Sequence, residues 1–209
     1  SGVGDGRKCC VPGGGSDESA GEKRPRTHAP FPSARRETLN RSRRDGSGMD
    51  ATDVETVAVL GAGNMGHGIA EVAALAGYDV QLRDINEELV QEGYDSIEWS
   101  LDKLAEKDRI GDDEATAALD RVDPVVPVED AVDDADLVVE AVPEQMEIKA
   151  DVWGAVTEHA PERAVFASNT SSISITDLSD QTDRPDQFCG LHFLHPPVRM
   201  ALVEVISGR

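Results

Sequence analysis

The chain has 209 residues, 41 acidic against 20 basic, for a formal charge of −21; that length points to one domain, or one domain with an appendage. So acidic a protein repels nucleic-acid phosphates and anionic membranes, and no run approaches the roughly 18 apolar residues of a membrane-spanning helix. Its three cysteines, Cys9, Cys10 and Cys189, make no disulfide framework and suit a reducing cytosol, so a cytoplasmic location is expected.

The charge is unevenly spread. Residues 1–48 carry 10 Lys/Arg against 6 Asp/Glu and are rich in Gly, Ser, Pro and Arg without apolar periodicity. Such a segment cannot bury enough surface to offset its ordering entropy, so it is expected to be a disordered basic tail. Arg35-Arg36 and Arg43-Arg44 lack the apolar stretch that would make either pair an export signal. Met49 follows, and the acidic composition begins there, as if the tail were an over-extended reading frame. Residues 49–209 hold 10 basic and 35 acidic residues, a net −25. That balance resembles proteins of salt-loving archaea, in which salt screens the self-repulsion; an ordinary acidic protein is the alternative.

The first element is expected at Thr56–Leu60, a short apolar, β-branched run like a buried parallel strand. Gly61, Ala62, Gly63, Asn64, Met65 and Gly66 follow as G-x-G-x-x-G. Ile69, Val72, Ala73 and Ala76 then recur at helical spacing, and Gly77 ends the helix. A second strand over residues 79–82 closes on Asp84. In such a unit the first glycine makes the turn, the second lets the backbone approach a pyrophosphate, and the third lets helix and strand pack. The helix N-terminus attracts the anion. Asp84 can accept from the adenosine ribose hydroxyls and would repel a 2′-phosphate, which favours NAD over NADP. Arg83, just before it, should face the other way as a solvated residue.

Helices are expected over residues 87–107, 112–120 and 144–160, and strands over 135–142, 164–170, 188–193 and 201–206. Strands alternating with helices predict a doubly wound, Rossmann-type α/β domain over residues 49–209, with a mostly parallel sheet. Cys189, His192 and His195 stand three apart, the spacing of a possible metal site. On a strand, however, residues three apart face opposite ways, so no metal site is expected.

Together, the glycine turn, "ASNTSSISI" and "GLHFLHPPVRMALVEVI" resemble the L-3-hydroxyacyl-CoA dehydrogenase family over residues 54 to about 207. The resemblance implies an NAD cofactor and an acyl-CoA substrate in fatty-acid metabolism. It makes His192 the catalytic base, Glu204 its carboxylate partner and Ser171 the hydroxyl that meets both substrate and cofactor. A histidine with near-neutral pKa suits removal of an alcohol proton during hydride transfer, and a carboxylate can hold its tautomer. The resemblance further implies that Glu144 and Lys149 contact NAD, and that Ser100 and Lys107 contact coenzyme A from the helix after the second strand. His195 stands where the family usually carries a cofactor-contacting asparagine. Only Lys103, Lys107 and Lys149 remain as lysines beyond residue 48, two of them at these positions. The family continues into a helical domain that closes over the substrate and forms a homodimer, whereas this chain stops at Arg209. Three functions stay open: a 3-hydroxyacyl-CoA dehydrogenase, an NAD dehydrogenase for a non-CoA hydroxy acid, and an NAD-binding module inactive alone.

Overall fold

The computed structural model describes residues 53–208; the expected basic tail lies outside them. Seven strands form one sheet in the order β3-β2-β1-β4-β5-β6-β7. They are β1 (Thr56–Leu60), β2 (Asp79–Arg83), β3 (Val122–Val125), β4 (Leu137–Glu140), β5 (Val165–Ser168), β6 (Phe188–Phe193) and β7 (Val203–Ser207). All neighbours run parallel except β7, which lies antiparallel to β6. The helices are α1 (Gly66–Leu75), α2 (Glu87–Ala105), α3 (Asp112–Leu119), α4 (Val128–Val132), α5 (Met146–His159) and α6 (Ile175–Ser179). The doubly wound, mostly parallel α/β architecture is the one expected from the alternating pattern.

Strand alternation builds two cores from one sheet. Val57 and Val59 of β1 join Ile69, Leu82, Ile97 and Leu101 in the core under α1, α2 and α3. Ala58 and Leu60 point the other way into the core of Val138, Trp153, Val156, Phe166 and Leu178. A strand buried on both faces has no polar side, hence the continuous apolar run of β1. Trp153 anchors the second core, with ring centroids 5.2 Å from Phe166 and 4.9 Å from Phe188.

The chain winds outward from β1 in both directions, through β2 to β3 and through β4 to β7. The carboxyl ends of β1 and β4 therefore flank the point where strand order reverses, where such sheets open a crevice for ligands. Several boundaries differ from expectation. The helix α2 stops at Ala105 instead of residue 107, and Asp108 follows with a positive φ of 51°. The strand β3 and the helices α4 and α6 were not anticipated. The strand β3 carries Pro124, whose missing N–H is tolerated because β3 lies at the sheet edge; α4 and α6 have five residues each, too short for a helical period.

Candidate functional site

The first wall of the crevice is the glycine turn. Gly61 has φ +100°, and a Cβ on Gly66 would fall 1.6 Å from the Gly61 carbonyl oxygen. Both positions thus require glycine, one for its backbone angle and one for contact with the turn. At Gly63 a Cβ would meet nothing within 4 Å, so the backbone there is open to a ligand. No side chain caps the N-terminus of α1, which leaves its positive end for an anion. Asp84 sits at the end of β2 with one carboxylate oxygen accepting from the Ala62 N–H at 2.7 Å and the other from the Ile85 N–H at 2.7 Å. These residues fit a dinucleotide: a bare turn, an uncapped helix end and an acid beside them. Arg83 is not the solvated residue expected; it is half-buried, and its Nε donates to the Val126 carbonyl at 2.9 Å.

The second wall is a buried ionic frame. Glu140, fully buried at the end of β4, accepts from Lys149 Nζ at 2.6 Å, the Val142 N–H at 2.9 Å and Ser168 Oγ at 2.7 Å. The same ammonium lies 3.3 Å from Glu144. Glu144 in turn accepts from Thr170 Oγ1, from the N–H groups of Ser171 and Ser172, and from Ser172 Oγ. Burial pushes the Glu144 carboxyl up, but the Thr170 and Ser172 hydrogen bonds and the Lys149 charge outweigh it and hold it at about 2. Lys149 was expected to meet the cofactor directly. In this structure it is 1% exposed and lies 3.3 Å from Glu144, the other residue expected at the cofactor.

That loop presents Ser171 to β6. The Ser171 hydroxyl lies 3.1 Å from His192 Nε2, and His192 Nδ1 lies 2.7 Å from Glu204. His192 and Glu204 are register partners across the antiparallel β6–β7 pair, which sets their side chains on one face. A carboxylate only accepts, so Nδ1 carries the proton and neutral Nε2 is left as the acceptor. The arrangement can take a proton at Nε2 and stabilise the resulting imidazolium. Asn169 pins the end of β6 by accepting from the Phe193 N–H at 2.8 Å.

A groove of about 490 Å³ opens between α1, α2 and the segment after β6, lined by Asn64, His67, Glu71, Ser100, His195 and Arg199 among others. Burial lowers the pKa of His67, and the neighbouring His195 charge adds to the effect. Ser100 and His195 both line this groove, whereas the exposed Lys107 does not; it sits in the turn beyond α2. Sequence reasoning missed Glu140 and Glu71, and took Ser168, Asn169 and Thr170 as parts of the "ASNTSSISI" motif without giving them a role. The available signal for Glu140 and Glu71 was a lone acid in an otherwise apolar strand or helix face, where burial demands a partner.

Residues 56–209 match the family described as 3-hydroxyacyl-CoA dehydrogenase, NAD binding domain. A 3-hydroxybutyryl-CoA dehydrogenase of Bradyrhizobium diazoefficiens is 40% identical over 158 residues, 76% of this chain and 54% of that protein. The mitochondrial hydroxyacyl-coenzyme A dehydrogenase of Sus scrofa is 40% identical over 159 residues, covering 74% of this chain and 51% of that protein. Among solved structures, (S)-3-hydroxybutyryl-CoA dehydrogenase from Ralstonia eutropha superposes with a TM-score of 0.72 at 39% identity, covering 74% of this chain and 54% of that one. The chain thus spans about half the length of the curated relatives it matches.

Proposed function

The chain belongs to the NAD-binding-domain family of 3-hydroxyacyl-CoA dehydrogenases, and from that premise we propose that its protein oxidises L-3-hydroxyacyl-CoA to 3-oxoacyl-CoA, or runs the reverse reduction. The observation that carries this reading is the chain of contacts from Ser171 through His192 to Glu204. NAD, when bound, supplies the hydride acceptor. The glycine turn from Gly61 to Gly66 and the end of α1 would hold its pyrophosphate, and Asp84 its adenosine ribose. His192 Nε2 takes the proton from the substrate hydroxyl in oxidation and returns it in reduction. Glu204 keeps the Nδ1 proton in place and stabilises the imidazolium. Ser171 orients the substrate oxygen toward Nε2, with Glu144 and Lys149 fixing the loop that carries it. Ser100 and Lys107 would contact the coenzyme A portion, and His195, in the family's cofactor-contacting position, lines the same groove as Ser100.

The acyl-CoA assignment is supported by the names of the relatives and by the groove beside Ser100. The whole protein is assigned a homodimer built through a helical second domain, a cytoplasmic location and a salt-loving archaeal host; the charge of −25 over residues 49–209 supports the last. The test is reduction of acetoacetyl-CoA by NADH in molar salt. It should be run on this chain alone and on the longest reading frame that contains it. The chain alone should bind NADH but turn over at a small fraction of the longer protein's rate, because excluding water and holding the reacting carbon falls partly to the second domain. Equal turnover of 3-hydroxybutyrate and its CoA thioester by the longer protein would overturn the acyl-CoA reading.

A further inference from the structure

Glu71 has no place in the chemistry above, yet it is one of the most buried charged side chains among the described residues, at 1% exposure. It projects from α1 into the base of the groove beside α2. Among the described residues no cation pairs with it, and its carboxylate receives one hydrogen bond, from Ser100 Oγ at 2.8 Å. A buried carboxylate held by a single hydroxyl is costly, and such groups cluster at functional sites.

The polarity of this bond has a consequence for what Ser100 can recognise. A serine hydroxyl has one proton and two lone pairs. With its proton committed to Glu71, Ser100 can only accept from a ligand. Of the parts of coenzyme A, the phosphates only accept, while the pantetheine arm carries two amide N–H donors. We propose that Glu71 is a positioning residue that holds Ser100 as a hydrogen-bond acceptor for a pantetheine amide, so that this end of the groove grips the arm of the acyl-CoA and not its phosphates. This inference rests on the acyl-CoA reading above.

The pair should respond to pH. Burial, only partly offset by the Ser100 hydrogen bond, raises the Glu71 carboxyl to about 7. Below that pH the protonated acid can donate to Ser100, which frees the serine proton and spoils its acceptor role. The other titratable or charged groups facing the groove are His67 on α1 itself, Asp95 on α2, and His195 and Arg199 after β6. Protonating His67 would strengthen attraction for phosphates as pH falls, the opposite sign, so the Glu71 contribution must be isolated by substitution.

The experiment is titration calorimetry of the protein with coenzyme A, pantetheine and adenosine 3′,5′-bisphosphate at pH 6 and pH 8. For the first two ligands, wild type should bind several-fold more tightly at pH 8. Glu71→Gln, whose side-chain carbonyl still accepts from Ser100, should bind nearly as tightly at pH 8 and lose most of the pH dependence. Glu71→Leu should weaken both ligands about tenfold at pH 8, as expected for one lost hydrogen bond, and should have no further effect on a Ser100→Ala background. Adenosine 3′,5′-bisphosphate should be indifferent to all three substitutions. Equal losses for the bisphosphate, or pH profiles unchanged in Glu71→Gln, would overturn the role of Glu71 while leaving the acyl-CoA reading intact. No binding of coenzyme A by wild type would overturn both.

Discussion

Ser171 at the crevice and Ser100 in the groove each have carboxylates behind them, but these are kept in opposite ways. Behind Ser171, Glu140 and Glu144 share Lys149, and Glu144 is held at about 2. Behind Ser100, Glu71 has, among the described residues, the serine hydroxyl alone and is raised to about 7. The difference teaches that burial and partners act together: Glu144 is exposed and surrounded by donors, whereas Glu71 is buried against a single hydroxyl. A lysine and several donors make the Ser171 end a fixed frame, with Glu144 ionised at any working pH, beneath the residues that would move a proton. With no cation, the Ser100 end becomes a titrating support beneath the residues that would hold the substrate's tail.

The largest effect should come from removing the cation of the fixed frame. Lys149→Met leaves Glu140 buried and unpaired and should cost on the order of 3–5 kcal/mol of stability, read as a lower denaturation midpoint at pH 7.5. Adding Glu140→Gln should restore much of the loss. If Lys149→Met is neutral, the frame is not what holds the Ser171 loop.

Chemistry should separate the two ends next. In the longer protein, His192→Ala should lower turnover about 10²- to 10⁴-fold with little change in NADH affinity, because it removes proton transfer and not dinucleotide contacts. Glu204→Gln should follow the same pattern more mildly. Near-wild-type turnover in His192→Ala would remove it as the base and erase the contrast between a reacting end and a holding end.

The titrating support predicts a smaller, pH-dependent change. Glu71 has a folded-state pKa raised from the model-compound value of 4.5 to about 7. Between those values the unfolded chain releases the proton while the folded chain keeps it. Its contribution therefore favours folding at low pH and is lost as pH rises to about 7. Glu71→Gln should leave stability nearly unchanged near pH 4.5 and raise it by about 3 kcal/mol at pH 8. Urea unfolding at the two pH values measures this, and a constant difference between variant and wild type would show that Glu71 does not titrate in this range. Glu144 has the opposite sign: depressed from 4.5 to about 2, it adds stability above 4.5 that disappears as pH falls through about 2.

The smallest effect per charge should come from the background common to both ends. Raising salt from low to molar concentration should increase the melting temperature by several degrees, as screening relieves the repulsion of a body carrying −25. Lys149–Glu140, sealed from solvent, should contribute little to that rise. A melting temperature flat across the range would rule out self-repulsion as a main cost and remove the support for a salt-loving host.

Much of this molecule was legible in the linear sequence because its signals are local. The β1–turn–α1–β2 unit is specified by residues within about one supersecondary element of each other: an apolar run, the glycine turn in which Gly61 and Gly66 are required by the backbone and Gly63 leaves it open, a helical repeat ended by Gly77 at φ +98°, and Asp84. The pairing of His192 with Glu204 was also foreseen, through a family pattern, and the antiparallel register of β6 and β7 places the two opposite each other. The tertiary structure alone decided which charges are buried and with what partners. Lys149, expected at the cofactor, also pairs with the buried Glu140; Arg83 was expected in solvent and found the Val126 carbonyl; Ser100, expected at coenzyme A, also donates to Glu71. Such pairings join residues 9, 43 and 29 positions apart. Neither periodicity nor propensity carries that information, because the electrostatic cost of burying a charge is met by whichever group the folded chain brings within about 3 Å.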